Sequence, residues 1–199
     1  MANVKITDLS SGTTLIGTEL FESVQTASSV KITASQIKQY VLDNAYLQAY
    51  SLVDQTLALN TPTAVQLGTT DVSNDISVAN DGGGNPTQIT FANTGLYEVS
   101  INLQIDNSDT NDHTLRIWQR KNGTDIAASG SIISVPKAAD GGTTIFELNT
   151  LFNAIPGDYL QYIVAANSAT ISLRYDAPQV SPYAAPAIPS AIFIASQVQ

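Results

Sequence analysis

No cysteine occurs in this sequence, which removes disulfides, thiolate nucleophiles and zinc–thiolate centres from consideration. Histidine is almost as scarce. The single one, His113, stands among Asp109, Asn111 and Asp112, which reads as a polar loop. One histidine is too few for a His-based metal centre, and no nucleophile-elbow pattern accompanies it. Positive charge is thin: eight Lys and Arg against seventeen Asp and Glu leave a net charge of −9. Phosphate contacts need Lys and Arg, so this balance argues against nucleic acid and against a bare anionic membrane surface as partners. No apolar run approaches the roughly 20 residues that a spanning helix needs. The opening residues, Met1-Ala2-Asn3-Val4-Lys5, lack a basic region followed by an apolar run. A soluble protein without a secretory signal is therefore expected, released by a route such as lysis of the producing cell.

What is present is a folding composition. Hydrophobic residues make up 43 % and charged residues 13 %, a ratio that builds a core and does not describe a disordered chain. The 199 residues suffice for one good-sized domain plus a small segment. The carboxylates gather in two loose groups, Asp106, Asp109 and Asp112, and Asp71, Asp75 and Asp81. Paired carboxylates can hydrolyse glycosides, but loops rich in Asp and Asn form turns without any catalysis. Calcium takes oxygen ligands from such loops, although the spacing here is not that of an EF-hand. Asp81-Gly82-Gly83-Gly84-Asn85 has no lysine and no following helix, so it reads as a flexible turn and not as a phosphate loop. No cofactor and no catalytic residue is expected.

Two regions follow from the patterning, residues 1–50 and 51–199. In the first, Leu20, Val24, Val30 and Ile32 flank Thr26-Ala27-Ser28, which predicts a short hairpin. Thr33 and Gln36 form a capping box, and Ile37, Tyr40, Val41 and Leu47 follow at helical spacing, so a helix is expected from there to about Tyr50. In the second region strands dominate. Over 96–106, Tyr97, Val99, Ile101, Leu103 and Ile105 alternate with polar residues, the mark of a half-buried strand in an antiparallel sheet. Further strands are expected at 64–67, 75–79, 88–91, 114–120, 126–135, 144–152, 159–166, 170–175 and 191–196. Between them stand turn signals such as Asn122-Gly123, Asp140-Gly141-Gly142 and Pro156-Gly157-Asp158. The predicted class is all-β, an antiparallel jelly-roll sandwich preceded by a hairpin-plus-helix segment. Four of the eight prolines, Pro178, Pro182, Pro186 and Pro189, define a semi-rigid loop before the last strand, either covering a sheet edge or offered as a contact loop.

The order of pieces near the start carries a resemblance. Ile6-Thr7-Asp8-Leu9, Gly17-Thr18-Glu19-Leu20-Phe21, Glu22-Ser23-Val24-Gln25, Val30-Lys31-Ile32 and Thr33-Ala34-Ser35-Gln36-Ile37-Lys38-Gln39-Tyr40-Val41 together resemble the N-terminal segment of many tailed-bacteriophage virion proteins. The resemblance implies a particle component, made in the host cytoplasm and placed on the exterior of the virion. It also implies an attachment segment whose apolar residues Leu9, Leu20, Phe21, Ile37, Tyr40 and Val41 contact the major capsid protein.

A second resemblance covers about two-thirds of the chain. Phe91 with Thr94-Gly95-Leu96-Tyr97-Glu98-Val99, then Arg120-Lys121-Asn122-Gly123-Thr124 after Ile117 and Trp118, then Pro156-Gly157-Asp158-Tyr159-Leu160, and finally Ser190-Ala191-Ile192-Phe193-Ile194 look like successive pieces of the tumour necrosis factor-like and complement-type jelly rolls. The Pro-rich loop is longer than in that pattern, and Ile194 stands where a glycine is usual. The resemblance implies a homotrimer with aromatic side chains about a three-fold axis. Tyr97, Phe146, Phe152, Tyr159, Tyr162, Tyr175 and Phe193 are the candidates, either there or in the core of their own chain. The expected site residues at the trimer interface are Tyr97, Phe146, Tyr159, Tyr162 and Phe193, because Tyr159-Leu160 and Tyr162-Ile163 place bulk on both faces of one strand.

With no shaft repeat between residues 50 and 60, the chain is short for a long fibre. A trimeric capsid decoration (cement) protein is the leading expectation. The alternative is a short fibre or receptor-binding tip that contacts a host-surface glycan, with Tyr183 and Trp118 as stacking residues. A carbohydrate-active enzyme is the third class.

Overall fold

Ala45, Leu47, Ala49 and Ser51 are buried while the residues between them are not, the pattern of a strand with one face on a core. The segment expected to end a helix is thus the strand Tyr46–Ser51. At Leu47 the helical spacing yields to long-range pairing with the last strand of the chain, which satisfies the backbone and buries alternate side chains at once. The boundary between units shifts accordingly. The computed structural model, which describes residues 20–25, 28–33 and 44–198, divides into Met1–Asn44 and Ala45–Gln199.

In the first unit, β1 (Leu20–Gln25) and β2 (Ser28–Thr33) pair antiparallel, from Leu20↔Thr33 to Gln25↔Ser28. This is the hairpin expected from the residues around 26–28. The rest of the expected helix, with Ile37, Tyr40 and Val41, lies outside the described residues, as does Leu9.

The second unit is a sandwich of two antiparallel sheets. The first sheet runs β7 (Ile76–Asn80), β8 (Pro86–Phe91), β14 (Tyr159–Ala166), β10 (His113–Lys121). Short β5 (Thr63–Ala64) joins β14, while β11 (Thr124–Asp125) and β12 (Ser131–Val135) pair the free side of β10. The second sheet runs β6 (Thr69–Asn74), β3 (Tyr46–Ser51), β16 (Ala191–Gln197), β9 (Gly95–Asn107). There β13 (Thr143–Ala154) covers the far side of β9 along almost its whole length, and β15 (Ile171–Leu173) with β4 (Gln55–Thr56) extends the sheet past β16. The first and last strands of the unit lie side by side, and β8 reaches β14 past five intervening strands. Nested long connections of this kind make the sandwich a jelly roll.

The expected strands correspond to β5, β7 to β10 and β12 to β16, with three shortened: 64–67 to Thr63–Ala64, 126–135 to Ser131–Val135 and 170–175 to Ile171–Leu173. Residues 126–130 precede β12 as a loop, in which Ala128 takes φ +59° and Ser129 Oγ donates to the Ile126 carbonyl while accepting the Gln119 N–H. The turns follow their local chemistry. Asn122 and Gly123, at φ +49° and +81°, form the two-residue link between Lys121 and Thr124, the left-handed pair that matches strand twist.

One core fills the space between the sheets. From the second sheet come Leu47, Tyr97, Val99, Ile101, Leu103, Ile105, Phe152 and Phe193; from the first come Ile89, Phe91, Leu115, Ile117, Leu160, Tyr162 and Val164. Burial of each large side chain contributes roughly 1.5–3 kcal/mol. Several polar side chains inside are paired. Tyr97 donates its hydroxyl to the Asn93 carbonyl at 2.9 Å. Gln119 Nε2 donates to Thr150 Oγ1 at 2.6 Å and to the Tyr162 hydroxyl at 3.1 Å. Burial pushes the Tyr162 phenol up to about 12. Asn107 ties three loops together: its amide donates to the carbonyls of Asn111 and Pro136, and its oxygen accepts from the Asp109 N–H and the Thr170 hydroxyl.

Candidate functional site

The acidic loops hold the carboxylates that could carry chemistry. His113 Nε2 lies 2.7 Å from Asp109 Oδ2, and that hydrogen bond, followed by the Thr110 N–H, holds the Asp109 carboxyl below the usual range. Asp106 pairs with Arg174 at 3.3 Å, and Asp112 accepts the Lys137 N–H. The three carboxylates therefore serve three separate contacts. Asp81 closes its own turn by accepting the N–H groups of Gly83 and Asn85, and Asp75 accepts from the Asn93 amide. Among the described residues, no three His, Asp or Glu side chains converge.

The aromatics expected at a three-fold axis are mostly elsewhere. Tyr97, Tyr162 and Phe193 are at most 1 % exposed and fill the core of their own chain. The register explains it: Phe193 stands opposite Ile101 and Ala49, and Tyr97 opposite Phe152, all on the inner face. Phe146 is half-buried and packs on the same core. Tyr159, equally half-buried, stands on the outer side of its sheet. The premise that one core cannot satisfy both faces of β14 also falls. Ile163, on the outer face, is 1 % exposed in the single chain, with Trp118 and Ala64 as its cross-strand neighbours.

Two exposed surfaces remain. The first is the outer face of the second sheet, where Tyr50, Ile192, Asn102 and Glu147 form one cross-strand row. Gln48, Ile194, Ser100 and Asn149 form the next, and Tyr46, Ser196, Glu98 and Leu151 the third. These rows hold two carboxylates and no cation. Exposed Tyr46, Ile194 and Leu151, with Ile145 further along β13, give the face an apolar character that sequence alternation alone did not single out. The second is the Pro-rich segment, which folds back on itself through the bridges Asp176↔Ile188 and Gln179↔Ala185. Near its tip Val180 is 89 % and Tyr183 66 % exposed.

A groove of about 390 Å³ opens on the outer face of the first sheet, lined by Arg116, Trp118, Ala128, Gly130, Ser131 and Ile132 with the backbone of Ile117. Trp118 was expected as a stacking candidate; Arg116 and Ile132 were not, because their meeting depends on the β10–β12 register, which sets them opposite one another.

Of the expected attachment residues, Leu20 and Phe21 lie on β1 opposite Thr33 and Ile32. Leu9, Ile37, Tyr40 and Val41 are outside the described residues.

No protein-family model and no curated protein matches the chain. Among solved structures, murine APRIL, a tumour necrosis factor-family protein, aligns in crystals at pH 5.0 and at pH 8.0. Each alignment has a TM-score of 0.49 at 11 % identity, over 78 % of this chain and 99 % of that chain. The jelly roll is defined here by its own strand pairing, and the likeness adds no partner or activity.

Proposed function

We propose that this chain is a structural protein of a tailed-phage particle: a trimeric decoration (cement) protein on the outside of the shell, with no catalytic role. The observation that carries the reading is the N-terminal signature from Ile6-Thr7-Asp8-Leu9 to Tyr40-Val41, set in front of a jelly roll. In this reading the first unit docks on the major capsid protein and the jelly roll projects. Self-association uses the outer face of the second sheet, where Tyr46, Tyr50, Ile192, Ile194 and Leu151 present apolar surface between neutral polar side chains. A protein that binds assembled shell in preference to separated subunits stabilises the shell by mass action.

The test adds the full chain to particles stripped of it. The reading expects saturation at hundreds of copies and genome release at a higher temperature. A few tens of copies, unchanged heat resistance and altered adsorption to host cells would replace it with the second reading, a short fibre or receptor-binding tip contacting a host-surface glycan. Exposed Tyr183 near the tip of the Pro-rich segment is the observation that favours that alternative.

A further inference from the structure

We propose that the groove between β10 and the segment entering β12 binds a carboxylate-bearing sugar unit, with Arg116 taking the carboxylate and Trp118 the apolar face of the ring. The assignment does not depend on how the chain attaches to a particle.

Charge is the first reason. The side chains of the second unit include five Lys and Arg, and four are paired. Arg120 meets Asp125 at 2.7 Å, Lys121 meets Asp158 at 2.6 Å, and Lys137 meets Asp140 at 3.6 Å. Arg174 meets Asp176 at 2.8 Å and Asp106 at 3.3 Å. Arg116 alone among them has no carboxylate of the described residues within 4.0 Å, in a chain with a nine-charge excess of acid. A free guanidinium in a groove is a planar fork for one carboxylate. A single cation there does not suit a polyphosphate, and the net charge opposes nucleic acid.

Shape is the second reason. Arg116 and Trp118 are two residues apart on one strand, so both point outward, and Ile132 faces Arg116 from the neighbouring strand. The indole Nε1 is buried, and the Asp125 carboxyl is held below its usual range first by the Arg120 hydrogen bond and then by the Trp118 indole. That carboxylate is itself engaged by Arg120, so it competes little with a ligand carboxylate for Arg116. The loop closes tightly on the ring's strand at Gly130, where a Cβ would lie 3.1 Å from the Ile117 carbonyl and 3.5 Å from Trp118 Cβ. The loop backbone thus forms a close wall beside Trp118, and ligand sites are mostly preformed in this way. Ring stacking plus one carboxylate contact, in about 390 Å³, matches one or two acidic sugar units.

The chain's only tryptophan gives the readout. The full chain is titrated with trigalacturonate, sialyllactose, the methyl ester of each and neutral lactose, followed by intrinsic fluorescence and by saturation-transfer NMR. A saturable change is expected with at least one acid, and at least tenfold weaker binding of its ester and of lactose. Arg116→Gln weakens the acid at least tenfold with an unchanged circular dichroism spectrum, while Arg174→Gln does not. Ile132→Asp, at a position 61 % exposed, places a competing carboxylate opposite Arg116 and abolishes binding without unfolding. The proposal is overturned if neither acid binds at millimolar concentration, if ester and acid bind alike, or if Arg116→Gln leaves affinity unchanged.

Discussion

The rings of Tyr162 and Phe193 meet across the sandwich with centroids 5.9 Å apart and planes at 56°, joining β14 of one sheet to β16 of the other. A tilted pair of this kind contributes beyond its buried area. Both residues belong to the core of a single chain, so their loss acts on folding. Phe193→Ala is expected to lower stability by about 3–5 kcal/mol, read as a shift in the guanidinium midpoint of Trp118 fluorescence. A variant that dissociates while its unfolding midpoint stays in place would return Phe193 to an interface.

Substitution on the opposite face of the same strand should behave differently. Ile194 is 48 % exposed beside Ser100 and Gln48, and its neighbour in the next row is Ile192. Ile194→Lys is expected to leave the thermal unfolding of the monomer within about 0.5 kcal/mol and to shift sedimentation from trimer to monomer. Because the face carries few charges, raising salt alone should not dissociate the assembly. Monomer throughout, in the unaltered chain and on the particle, would remove self-association.

Asp158 governs the acid limb of stability. Its carboxylate is buried, 2.6 Å from Lys121 Nζ, and accepts the Ile155 N–H and the Asn122 amide. The Lys121 hydrogen bond first, then the Ile155 N–H, hold its pKa at about 2, below the ordinary 3.8. A depressed folded-state value means that the unfolded chain takes up the proton first as pH falls. The contribution is therefore complete above about pH 4 and is lost on descending toward pH 2. Asp158→Asn should flatten the pH dependence of the urea midpoint inside that window and lower it above. An identical slope in both proteins would contradict this.

Gly142 tests the join between β13 and β9. Its φ is +65°, its carbonyl accepts the Asn107 N–H at 2.7 Å, and a Cβ would sit 2.8 Å from the Asn107 carbonyl and 3.2 Å from Ala138 Cα. Backbone on both sides leaves no flexible group to yield. Gly142→Ala is expected to cost more than about 1 kcal/mol. Gly82→Ala, where nothing lies within 4 Å, should change the thermal midpoint little; equal effects of the two would argue against the close approach.

Much of the strand layout was legible because its signals are local. Alternation from Tyr97 to Ile105, the left-handed Asn122-Gly123 turn and the Pro156-Gly157 turn each act within a few residues, so the chain announces them without knowing its partners. The carboxylate loops were legible as turns for the same reason, since Asp81 and Asp109 bond to neighbours in sequence. Tertiary structure decided what depends on distant pairing. Residues 46–51 carry a spacing that suits a helix, yet they pair with 191–196 and so become a strand. Tyr162 and Ile163 look alike in sequence as bulky neighbours, but the register of β14 sends one into the core and the other to the outer face beside Trp118. Arg116 and Ile132 meet only because β10 and β12 are in register, and Asp125, on the neighbouring hairpin strand, is taken by Arg120. By itself the sequence determined most of the strands of the second unit and the turns between them. Which side chains face each other was left to the fold, because facing is a property of two segments and no single segment contains it.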